Sequence, residues 1–167
     1  SNGTFYHFFN SKDDILAEYI RKAQEWRIEI EKYNKEHDLN LVDYVVVLYR
    51  MFFQSFTKYG VEFANNYFVP KNQAFNVYTR NQTDFPEQLM REKLIDAWHQ
   101  GYIDNEVMME RIVLDIRIIT FGVLFEWCAT KGNLILNEIF ERMIRNYFRS
   151  VLTEKYYLDH PEQEKRE

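Results

Sequence analysis

Residues able to do chemistry are few in this chain and mostly scattered. His7, His37, His99 and His160 stand far apart, and none pairs with a histidine, cysteine or carboxylate at metal-ligand spacing. Cys128 is the sole cysteine. It can form no disulfide within the chain, reads as a small buried apolar residue, and makes a reducing cytoplasm the expected compartment. No glycine-rich phosphate loop, nucleophile elbow or His-Glu-x-x-His run occurs. Carboxylate pairs such as Asp13/Asp14 read as helix starts and solvated faces. The expectation is a protein that is not an enzyme, with no metal site and no cofactor. One stretch differs from the rest. "SNGTFYHFFNSKDDIL" carries no acid before Asp13, although Asp plus Glu outnumber Lys plus Arg by 26 to 21, for a net charge of −5. That balance argues against a surface that grips nucleic acid everywhere, and leaves room for one small local patch.

The elements that must position these residues read as helices. Five glycines and three prolines in 167 residues, with 17% aromatics, suggest long helices around a bulky core. Ser11 is a good N-cap, with Asp13 and Asp14 in the first turn. Ile15, Tyr19, Ala23, Trp26, Ile30 and Tyr33 then form one apolar stripe, and "NKEHDLN" ends that helix. A second helix spans about Asn40 to Tyr59 and stops at Gly60. Val42, Val45, Tyr49, Phe52 and Phe56, widened by Val46 and Phe53, place it deep in the domain. Its apolar run "LVDYVVVLYRMFF" is broken by Asp43 and Arg50 and is too short for a membrane span, and no signal peptide is read. "VEFANNYF" suggests a short helix ended or bent by Pro70. "DFPEQLMREKLIDAWHQGYI" reads as a helix with Asp84 and Glu87 as its N-terminal capping pair, Pro86 in the first turn and Gly101 at its end.

The last two helices are expected at about 105–131 and, after Gly132 and an Asn133 cap, to about Tyr157. On the first, Ile112, Ile116, Ile119, Val123 and Trp127 fall on one side. Leu114, Ile118, Phe121, Phe125 and Cys128 fall on the other. Two apolar faces need two packing partners, and a second subunit can be one of them. On the last helix Ile139/Phe140, Met143/Ile144, Tyr147/Phe148 and Val151/Leu152 give a broad stripe. The tail "DHPEQEKRE" is polar and expected to fray.

With those elements in place, the opening stretch resembles the end of the DNA-binding motif of TetR (tetracycline-repressor) family regulators. The residues that carry the resemblance are Ser1, Gly3, Thr4, Tyr6, Phe9, Ser11, Lys12 and Ile15/Leu16, at unbroken spacing. "FGVLFEWCATKGNLIL", with Gly122, Trp127 and Gly132, is similar to the family's stretch across the last two helices. The resemblance implies an all-α fold. Residues 1–12 would be a remnant of a helix-turn-helix, 13–157 a ligand-binding and dimerisation domain, and 158–167 a polar tail. It also implies a DNA-contact set of Asn2, Gly3, Thr4, Tyr6, His7 and Lys12. Gly3 would let the backbone come close, Thr4 would hydrogen-bond a phosphate or base edge, and Lys12 would be a phosphate cation. Phe9 would lock the two helices together. The two helices that precede this run in the family are not in the chain. Its own operator binding is therefore expected to be weak, since a helix-turn-helix needs its first helix to hold the second. The bland alternative is an amphipathic N-terminus with Tyr6 and Phe9 in a core and Lys12 solvated.

The implied function is a cytoplasmic, homodimeric transcriptional regulator, with repression the expected sense. Its partners would be operator DNA and a small apolar or aromatic effector, with no membrane. Pocket candidates are Tyr49, Phe52, Phe53, Phe56, Tyr67, Trp98, His99, Tyr102, Phe121 and Phe125, with Arg50, Asn66, His99 or Arg117 as polar anchors. The competing reading of these aromatics is a plain packed core. Dimer candidates are Ile119, Val123, Trp127, Phe140, Ile144 and Phe148. The rival function is a helical ligand-binding or assembly module with no DNA role.

Overall fold

The computed structural model describes residues 12–67 and 85–164, and every regular element among them is an α-helix. Helix α1 is Lys12–His37, α2 Leu41–Tyr59, α3 Val61–Tyr67 and α4 Phe85–His99. Helix α5 is Glu106–Ala129, α6 Leu136–Val151, α7 Glu154–Asp159 and α8 Pro161–Glu164. The fold is all-α, and no helix among the described residues is long and apolar enough to cross a membrane.

Helix α2 is the axis of the bundle. It packs against α1, α3, α4 and α6, and eleven of its nineteen residues are buried. Its ends follow local rules. Asn40 Oδ1 accepts from the Asp43 N–H at 3.0 Å, capping the first turn. Gly60, at φ 86°, closes the other end by donating to Phe56 O at 2.8 Å. Asn105 caps α5 in the same way, accepting from the Met108 N–H at 2.9 Å. After α5, Gly132 takes φ +82°, and a Cβ there would stand 3.3 Å from Val61 Cγ2, so the turn needs glycine.

Three expectations change at the element level. Asn133 does not cap the last helix: α6 starts at Leu136 behind Ile135, which makes no side-chain cap. The single helix expected to Tyr157 is two helices. Leu152 and Thr153 turn extended between α6 and α7, and the Thr153 N–H donates to Tyr102 O instead of continuing the helical ladder. The tail does not fray through Glu164. It forms α8, and Gln163 is only 6% exposed. On α1, Trp26 and Ile30 are buried as the stripe requires, whereas Tyr33 lies outside and stacks on His37 at 4.0 Å. Ser11 and Asp84 lie outside the described residues, as do the side chains of Ile15, Tyr19 and Ala23.

Candidate functional site

Among the described residues, the outward faces of α5 and α6 hold the largest group of exposed apolar side chains. The two helices pack on each other across the short 130–135 turn. At their far end the Tyr147 hydroxyl donates to Asp115 Oδ2 at 2.8 Å. The inner face of α5 joins the core, with Ile112 and Ile116 at 0% exposure, Val123 at 4% and Trp127 at 5%. Its outer face carries Leu114, Ile118 and Phe125 at 49%, 60% and 66% exposure, with Phe121 and Cys128 half-buried beside them. Helix α6 adds Met143 at 40% and the half-buried Ile139 and Tyr147. A Cβ added at Gly122 would meet nothing within 4 Å, so the backbone there is open to close approach. Large apolar side chains are thus left in water on two adjoining helices.

The residues expected at a dimer contact lie mostly inside the chain. Val123, Trp127, Phe140, Ile144 and Phe148 are buried in the chain's own core, and Ile119 is half-buried against it. They belong to the face that meets α2, α3 and α4. The outward residues are the second apolar set on α5 together with Met143. A period of 3.6 separates two faces of a helix but does not say which one points inward.

Among the described residues the aromatic candidates divide between the packed core and the surface. Tyr49, Phe52, Phe53 and Phe56 are each 3% exposed or less and pack on one another and on Phe140. Tyr49 stacks on Phe140 at 4.9 Å, and Phe53 meets the same ring edge-on at 5.1 Å. Trp98 is half-buried and stacks on the exposed His99. Tyr102 sits at the turn after α4, where its hydroxyl donates to Asp159. Phe121 and Phe125 belong to the outer surface already described. The side chains of Tyr67 and Asn66 lie outside the described residues. Between Val42, Phe148, Tyr156 and Gln163 there is a space of about 10 Å³, room for one water.

Of the polar anchors, Arg50 is exposed and pairs with Glu141 at 3.2 Å. Arg117 meets Glu87, a carboxylate only 4% exposed, through Nε at 2.7 Å and Nη2 at 2.6 Å. Arg91 approaches the same carboxylate at 3.5 Å and also pairs with Glu110. Glu87 thus ties α4 to α5, a role its expected place in a helix cap did not suggest. A second polar node surrounds Arg145, which donates to Asp43 Oδ1 and to Glu141 Oε1, each at 2.7 Å. Burial works against the Arg145 charge, yet the hydrogen bonds to Asp43 and Glu141 outweigh it and raise its pKa. Burial also raises the Cys128 thiol above its ordinary value. Among the described residues no group of three or more His, Cys, Asp or Glu could hold a metal.

The DNA-contact candidates Asn2, Gly3, Thr4, Tyr6 and His7 lie outside the described residues, as does the side chain of Lys12, the first residue of α1. No protein-family profile, curated protein or solved structure is significantly similar to the chain.

Proposed function

We propose that this chain is the core of a TetR-type transcriptional regulator that dimerises through the outer faces of α5 and α6. The observation that carries the reading is the Ser1–Leu16 run, whose Gly3, Thr4, Tyr6, Phe9, Ser11 and Lys12 stand at the family's spacing in the sequence. The apolar surface of Leu114, Ile118, Phe125 and Met143 supports it, because a two-fold dimer would pair two such openings for adjacent turns of duplex DNA. In this reading no residue acts as a catalyst. A small apolar or aromatic effector binds by parting rings of the middle helices that otherwise pack on each other, and so favours one arrangement of the helices over another.

The test is binding of the gene's full product to fragments of its own genome, followed by fluorescence anisotropy on any fragment retained. Salt-dependent, sequence-selective binding is expected. Dimerisation without any operator, in the presence or absence of apolar compounds, would favour a helical assembly or ligand-binding module instead.

A further inference from the structure

The segment after α6 lies across two separate turns at one end of the bundle, and one side chain touches both. On one side it grips the turn between α1 and α2. The Tyr156 hydroxyl donates to Asn40 Oδ1 at 3.0 Å, and Gln163 Nε2 donates to Asp43 Oδ2 at 3.1 Å. Asn40 is the cap of α2 and Asp43 stands in its first turn, so these bonds reinforce a helix start.

On the other side the segment holds the turn between α4 and α5. The Thr153 N–H donates to Tyr102 O at 3.1 Å, Thr153 Oγ1 to Gly101 O at 2.8 Å, and Lys155 Nζ to Gln100 O at 2.5 Å. The Tyr102 hydroxyl returns a bond to Asp159 at 3.1 Å. Carbonyls just past the end of a helix need donors from elsewhere, and this segment supplies them. Tyr156 lies between the two grips. It is fully buried, its hydroxyl is on Asn40, and its ring meets the Tyr102 ring edge-on at 5.3 Å.

We infer that residues 152–164 form a strap that couples the α1–α2 turn to the α4–α5 turn, with Tyr156 as the shared pin. Loosening either grip releases both turns together, because the buried ring cannot shift at one without shifting at the other. The strap therefore sets how freely the end of α1 moves relative to the end of α4. These helices are also joined farther along by Arg27 Nη2 and Glu92 Oε1 at 2.9 Å.

Hydrogen exchange read by mass spectrometry on the whole chain tests this with two conservative variants. Tyr156→Phe keeps the ring and removes the hydroxyl at the first grip. Thr153→Val removes one bond at the second grip and no helix cap, since Thr153 makes no side-chain cap bond. Tyr156→Phe is expected to speed exchange by roughly fivefold at residues 38–44, the effect of losing one net hydrogen bond, and measurably at 100–103 as well. Thr153→Val is expected to speed exchange at 100–103 and, in turn, at 38–44. Effects that stay local to each altered grip would overturn the coupling. Equal acceleration in the α5 core, residues 112–124, would also overturn it, since that is general loosening and not release of a strap.

Discussion

At the scale of single residues, the strongest electrostatic commitment is Glu87, a carboxylate nearly out of water and held by two Arg117 nitrogens. A buried charge that loses its partner is worse than no charge at all. Arg117→Ala is therefore expected to cost about 2–3 kcal/mol in urea unfolding, less than for a fully enclosed pair because the arginine is partly exposed. Glu87→Gln should cost less than Arg117→Ala. If Arg117→Ala were neutral, the pair would hold nothing together. This pair was not legible in the sequence. Glu87 looked like a helix-start carboxylate, and its partner lies thirty positions away, a separation that no local rule connects. Three tyrosines should contribute to an alkaline limit of the fold. Burial, with the nearby Glu92 charge, pushes the Tyr44 phenol up to about 12 from an ordinary 10.0. Burial raises Tyr147 and Tyr156 further, aided in Tyr147 by its bond to Asp115. A raised folded pKa contributes stability that is complete below the unfolded value and lost as pH climbs toward the folded one. The urea midpoint should hold steady from about pH 7 to about pH 9 and fall above about pH 10. The share of phenolate absorbance removed by Tyr44→Phe, Tyr147→Phe or Tyr156→Phe should appear together with unfolding. That share appearing well before unfolding would contradict these shifts.

At the scale of elements, starts and stops with their own chemistry were readable and the others were not. Gly60 and Gly101 stand where backbones of φ 86° and 78° close α2 and α4, and a sequence shows that as soon as glycine follows an apolar stripe. The break after Val151 has no such signal, because "FRSVLTEKYYL" contains neither glycine nor proline. What ends α6 is a tertiary bond: the Thr153 N–H goes to Tyr102 O, fifty-one positions earlier. The two faces of α5 were legible as a pattern, but their direction depends on which face α3 and α4 cover. That direction makes a prediction. Ile118→Glu or Phe125→Glu places a charge on the outer surface and should leave the monomer folded while weakening a dimer by roughly tenfold or more. Phe148→Glu, at a position 1% exposed, should unfold the chain instead. Sedimentation velocity with circular dichroism separates the outcomes. A wild-type chain that stays monomeric when concentrated, or an Ile118→Glu chain that dimerises normally, would remove α5 and α6 as the contact.

At the scale of the whole molecule, the all-α fold follows from scarce breakers and wide apolar stripes, while the proposed role rests on the first sixteen residues. The body of the protein is acidic, so any attraction to DNA must be concentrated in that stretch and not spread over the surface. Lys12 is its one lysine or arginine, which makes its contribution separable. Each phosphate contact releases condensed counterions and adds about one unit to the slope of log affinity against log salt. In the gene's full product, Lys12→Ala is therefore expected to lower specific and non-specific affinity together and to flatten the salt slope by roughly one unit per site occupied. Substitution of Thr4 acts differently, because a group at a base edge changes which sequence is preferred, by about 1–3 kcal/mol for a lost bidentate contact. Titrations of both variants against one operator and one scrambled duplex, each at several salt concentrations, distinguish the two roles. A Lys12→Ala protein with an unchanged slope would mean that this lysine meets water and not phosphate. The opening run would then be an ordinary amphipathic helix start.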